Sequence, residues 1–197
     1  RAAFKNVEFD VRMYRKLDMF IHGEAMNLDN PIGDDEVTVF IRLGSDFADN
    51  YYEYEVPVKM TAWGATDPDD IWPDANMMVI EFQQLLEAKK QRNANAAYPT
   101  YLEYTIPDPN DPTRLITVKG NPNLQGVKTI MIGIRNPNKD ADHPWQPDDG
   151  EDKCAIIWVN ELRLTDFDET GGWAALANVN AQLADLGNLT LAGSIST

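Results

Sequence analysis

The sequence predicts an antiparallel β-sandwich, jelly-roll-like, with one short helix, followed by a C-terminal amphipathic β-hairpin. Three observations lead there. Apolar and polar residues alternate with period two in about eight short segments, separated by Pro-, Gly-, Asn- and Asp-rich connections. Only residues 82–92 carry an apolar stripe at helical spacing. A parallel α/β sheet, which needs helices between its strands, is thereby excluded.

The elements follow in order. Val7, Phe9 and Val11 share one side of a first strand, and residues 17–25 alternate as a second. Residues 27–35 are dense in turn formers and form a loop. Val37, Val39, Ile41 and Leu43 lie on one face of a central strand, and residues 51–56 return beside it. Pro57 limits that strand's pairing, and residues 66–73 make an irregular connection. Phe82, Leu85, Leu86 and Lys89 then mark the helix, with the lysine snorkelling from its apolar stripe. Residues 102–106 read as a short strand, and residues 115–118, 127–134 and 155–164 as stronger ones. The expected core includes Val39, Ile41, Ile130, Ile132 and Trp158.

The 197 residues suffice for one ordinary domain with an appendage. Seventeen basic residues against 32 acidic ones give a formal charge of -15. Such a surface repels phosphate backbones, which excludes nucleic acid as a natural partner. Cys154 is the only cysteine, so no intrachain disulfide or thiolate cluster can form. Its apolar neighbours suggest a buried, inert thiol. No signal peptide or long apolar run is visible, and the chain starts on Arg1 rather than Met. An excised or processed fragment would look like this.

Enzyme chemistry finds little support. The two histidines are His22, inside a strand and expected to be a satisfied structural residue, and His143, expected to be exposed in an acidic loop. No nucleophile elbow, phosphate loop, dinucleotide fingerprint or zinc-protease motif is present. The carboxylates are too numerous for any pair to single itself out as a glycosidase site. No catalytic or cofactor-binding residue is therefore assigned. Asp29, Asp34, Asp35 and Glu36 crowd one loop, Asp67, Asp69 and Asp70 a second, and Asp148, Asp149, Glu151 and Asp152 a third. Such loops can supply oxygens to a structural calcium ion, but none has EF-hand spacing, and solvated acid loops are the simpler account. Trp63, Trp72 and Trp145 in or beside loops permit sugar stacking, although loop anchoring explains them as well.

From Gly171 onward the character changes. Val179, Ala181, Leu183, Leu189, Leu191 and Ile195 are apolar at odd positions, whereas Asn178, Asn180, Gln182, Thr190, Ser194 and Ser196 are polar at even ones. Residues 185–188 supply a turn, and charges nearly vanish. A membrane β-barrel hairpin reads this way, and so does an ordinary exposed hairpin.

Two long segments carry a family resemblance. They are Val127-Lys128-Thr129-Ile130-Met131-Ile132-Gly133-Ile134-Arg135-Asn136-Pro137 and Ile157-Trp158-Val159-Asn160-Glu161-Leu162-Arg163-Leu164-Thr165-Asp166-Phe167-Asp168, the latter running into Gly171-Gly172-Trp173. With Arg42-Leu43-Gly44-Ser45-Asp46 and Asn50-Tyr51-Tyr52-Glu53-Tyr54, they resemble the SprA/Sov family of the Bacteroidetes type IX secretion and gliding-motility system. The resemblance implies a fragment of a giant outer-membrane translocon. Residues 1–170 would be a soluble β-sandwich domain with a structural or interaction role at the pore. Residues 171–197 would begin a membrane β-barrel segment. The implied location is the outer membrane, at the cell surface or the periplasmic face. The implied partners are other secretion components and exported cargo, with no catalytic residues and no cofactor. The competing expectation is a carbohydrate-binding jelly-roll module of a secreted surface protein.

Overall fold

The computed structural model describes residues 1–27, 29, 31–144, 146, 151–168, 174–183 and 187–196. The chain forms two compact units, Arg1–Phe167 and Asp168–Thr197. The first unit holds strands β1 (Ala2–Phe9), β2 (Tyr14–Ala25), β3 (Thr38–Gly44), β4 (Tyr51–Pro57), β5 (Met78–Glu81), β6 (Tyr104–Pro107), β7 (Leu115–Lys119), β8 (Val127–Arg135) and β9 (Ala155–Phe167). Helix α1 (Pro68–Ile71) is a single turn, and α2 (Phe82–Ala94) is the longer helix.

Every strand pairing in the unit is antiparallel. The large sheet runs β1-β8-β3-β4-β7-β6 and the small one β5-β2-β9. Both inner faces feed one core. Val39, Ile41 and Leu43 of β3, Tyr52, Tyr54 and Val56 of β4, and Ile116 and Val118 of β7 meet Leu17, Met19 and Ile21 of β2. Met78 and Ile80 of β5 and Phe82, Leu85 and Ala88 of α2 complete that layer. The result is a sandwich of unequal sheets, six strands against three, rather than the even split of a symmetric eight-strand jelly roll.

Alternation placed most strands within a few residues, but not every face. Trp158, expected in the core, is 60% exposed. It pairs with His22 across β2·β9, and β2 turns Leu17, Met19 and Ile21 inward, so the neighbouring even positions face outward. Leu86 is likewise exposed, and the buried stripe of α2 is Phe82, Leu85, Ala88 and Arg92. Cys154 is exposed just before β9 rather than buried within it. Residues 66–73, expected to be irregular, contain α1, capped by the Asp67 side chain. The four-residue β5 was not foreseen, because four residues are too few to show a period.

Two polar devices fix the connections. Gly120, at φ +64°, lets the chain turn where a Cβ would lie 2.0 Å from the Asp49 carbonyl oxygen. Asp46 accepts backbone N–H groups from Ala48, Asp49 and Asn50, at 3.0, 2.6 and 3.0 Å, in the β3–β4 connection. Partial burial pushes its carboxyl up, but those amides and the Asn50 side chain prevail and hold it at about 2. Because the folded pKa is depressed, this stabilisation is complete above the ordinary aspartate range and is lost as pH falls toward 2. Asp46→Ala is expected to cost about 1–2 kcal/mol in urea titrations at neutral pH, with the deficit shrinking on acidification.

The second unit is an antiparallel pair, β10 (Ala174–Leu183) with β11 (Gly187–Ser196). The register sets Val179 opposite Leu191 and Ala181 opposite Leu189. Gly187 and Asn188, expected in the turn, pair with Leu183 and Gln182 instead. Residues 185, 186 and 171–173 of the sequence reading lie outside the described residues.

Candidate functional site

Two surfaces of the sandwich exceed what a packed core requires. The first is a charged network on the outer face of the large sheet. Odd residues of β4 face away from the core, which places Glu53 and Glu55 beside Arg42 of β3 and Arg135 of β8. Although they sit on an outer face, both glutamates are only 4% exposed. Arg42 Nε lies 2.5 Å from Glu53 Oε2, and Arg135 binds Glu53 at 3.0 Å as well as Glu55. Thr38 Oγ1 also donates to Glu55. The guanidiniums stack on aromatic rings, Arg42 at 4.0 Å from the Tyr51 centroid and Arg135 at 4.5 Å from that of Phe40.

The segment after β8 folds over this network. His143 places Nε2 at 3.2 Å from Glu55 Oε1 and Nδ1 at 2.9 Å from Asp140 Oδ1. Gln146 donates its side-chain amide to the Asp35 carbonyl at 2.6 Å. His143 is 8% exposed, which corrects the expectation of a solvated loop histidine. Its pKa is raised, first by the bond to Glu55 and then by Asp140, against the opposing effect of burial. Burial likewise pushes Glu55 up, but His143, Arg135 and Thr38 hold it below its ordinary range. This is a latch of opposite charges.

The second surface is the open side of the sandwich. The small sheet ends at β9 and leaves a groove of about 650 Å³ against the edge of the large sheet. Ala3, Lys5 and Val7 of β1 and Ile130, Ile132 and Ile134 of β8 form one wall. Ile157, Val159 and Leu162 of β9 form the other. Val159 and Leu162 are each more than 40% exposed, an unusual state for inward-facing apolar side chains. The bulge opposite Asp18–Phe20, where Glu161 takes φ +53°, turns Leu162 into the groove. Arg1 and Lys5 are the charged residues among the described lining, and none of that lining is acidic.

The other sequence candidates are engaged elsewhere. His22 bonds the Ile71 carbonyl at 2.8 Å and Thr61 Oγ1 at 3.1 Å, with the Trp72 ring 5.7 Å away. Trp63 is exposed but anchored through Nε1 to the Ala25 carbonyl, and Trp145 lies outside the described residues. In the first acidic loop Asp35 pairs with Lys59 at 2.6 Å and Glu36 with Lys153 at 3.0 Å. Asp34 accepts the Met60 amide, and Asp29 is exposed. Asp67 caps α1, with Asp69 and Asp70 exposed in its first turn. Asp148 and Asp149 lie outside the described residues, and Glu151 and Asp152 are exposed. Among the described residues no grouping of metal-ligating side chains occurs. Sequence reasoning missed the Glu53–Glu55–Arg135–His143 network and the groove. The one local hint was the charged alternation in Tyr51-Tyr52-Glu53-Tyr54-Glu55.

A family model described as motility related/secretion protein, SprA_N, matches residues 1–197. No curated protein matches the chain.

Proposed function

The chain belongs to the SprA_N family of motility-related and secretion proteins, and from that premise we propose that it is a non-catalytic interaction domain of an outer-membrane protein-export translocon. The export route is that of type IX secretion and gliding motility. The sandwich serves a structural or interaction role at the pore, with secretion components and exported cargo as partners and no nucleic acid. The observation that carries this reading is the family match across the whole chain. The register of β10·β11 supports it further, because it pairs the apolar Val179 with Leu191 and Ala181 with Leu189. On this reading the pair belongs to a barrel wall, with its alternating apolar positions turned to lipid and its polar ones to the lumen. No described helix is long and apolar enough to cross a membrane, which leaves strand crossing untouched.

Leu191→Asp in the full-length protein tests the reading. A carboxylate on a lipid-facing strand costs on the order of 1–3 kcal/mol depending on depth. Barrel assembly, secretion and gliding are expected to fall sharply, while the excised chain melts within about 1 °C of wild type. A variant that unfolds the sandwich yet secretes normally would place β11 with the soluble core and sink the proposal.

The acidic loops are read as solvated or lysine-paired, with no cofactor. Melting in millimolar calcium and in chelator is then expected to coincide. A rise in Tm with calcium would instead mark a structural ion held only by the folded state.

A further inference from the structure

Of the four sheet edges in the sandwich, two are blunted and two are open. β5 and β6 are four residues each, and β6 ends on Pro107. Among the described residues β1 and β9, 8 and 13 residues long, are each hydrogen-bonded to a neighbour on one side only. Both open edges border the same apolar groove. The β1·β8 register shows which groups of β1 are free. Arg1 and Ile134 exchange both backbone bonds, at 2.9 and 2.8 Å, so residues 1, 3 and 5 face β8. The N–H and C=O of Ala2, Phe4 and Asn6 therefore point away from the sheet, where an added strand would bond them.

Charge narrows the choice of occupant. On a chain of net charge -15, the groove carries Arg1 and Lys5 and no described carboxylate. Lys5 points inward from an edge strand, a placement that repels neutral or basic strands unless a carboxylate meets it. We propose that this open side takes an extended polypeptide segment of alternating apolar residues with an acidic residue, added as a strand beside β1 so that its apolar side chains fill the groove. The inference deepens the interaction reading above and rests on it for the kind of partner. Free edge groups and an apolar trough beneath them favour a polypeptide over a lipid chain, which would leave the edge unbonded.

The probe is a synthetic peptide of about ten residues, alternating valine and threonine with one glutamate, titrated into the 197-residue chain by calorimetry. A lysine-for-glutamate peptide and sodium dodecanoate are run alongside. Saturable one-to-one binding of the glutamate peptide is expected, with slowed amide exchange at Phe4. Phe4→Pro removes an edge donor and should weaken binding about tenfold, whereas Phe4→Ala keeps the donor and should weaken it no more than about threefold. Lys5→Glu, which alters no ladder bond and so serves where Phe4→Pro fails to fold, should shift preference to the lysine peptide by roughly threefold to tenfold. Three results overturn the proposal: no peptide binding, peptide binding indifferent to both Phe4→Pro and Lys5→Glu, or dodecanoate binding alone. Self-association through this side, abolished by Lys5→Glu in sedimentation, would assign it to a second copy and overturn the proposal too. The assay needs no membrane, so its failure leaves the secretion test standing, and failure of that test leaves this one standing.

Discussion

Glu55→Ala is expected to destabilise the sandwich by about 3–5 kcal/mol, measured by urea denaturation at neutral pH. Glu55 is 4% exposed and binds Thr38, Arg135 and His143 together. Truncation takes a carboxylate away from both the Arg135 guanidinium and the His143 ring, whose side chain is itself largely buried. Glu55→Gln keeps the shape and some hydrogen bonds, so its cost is expected to be smaller. A Glu55→Ala variant as stable as wild type would show that the latch contributes nothing to folding.

The pH dependence follows from the same contacts. His143 has a folded pKa raised by Glu55 and Asp140 against the opposing effect of burial. Its stabilisation is fully present below the unfolded histidine value of about 6.5 and is lost as pH rises through the raised folded value. Glu55 is depressed, so its share is present above the ordinary glutamate range and is lost on acidification. The stability advantage of wild type over His143→Gln should accordingly peak in mildly acidic solution and decline toward alkaline pH. A difference that stays flat across that range would mean the histidine stays neutral in its latch.

The second large effect separates two neighbours on the small sheet. Ile21→Ala should cost about 2–5 kcal/mol, because Ile21 is 1% exposed and the cavity opens between the sheets. Trp158→Ala should cost less than about 1 kcal/mol, since its ring is 60% exposed on the outer face. Equal losses at the two positions would contradict the strand parity.

That pair shows what the sequence disclosed. Alternation identified the strands because one side of each must be buried, and Val39, Ile41 and Ile130 proved to be buried core. It did not say which side of β9 faces inward, since Ile157, Trp158 and Val159 are all apolar and the strand lies at an edge. Ile132 is an intermediate case, packed on the core yet lining the groove. His143 and Glu55 are 88 positions apart, so no local pattern could announce their contact. The groove was hidden for the same reason, because β1 and β9 come from opposite ends of the first unit.

The β1·β8 and β2·β9 pairings also set the order in which the chain can fold. The β3–β4 hairpin closes over a short Asp46-pinned turn and can form early. Ala2 must wait for Gly133, and Tyr14 for Phe167, before either strand gains those partners. Such closures are entropically slow, and folding in milliseconds to seconds is the expected regime for so non-local a topology. Until residue 167 is available, Leu17, Met19 and Ile21 belong to an unfinished sheet, and a nascent or crossing chain presents them to any chaperone it meets.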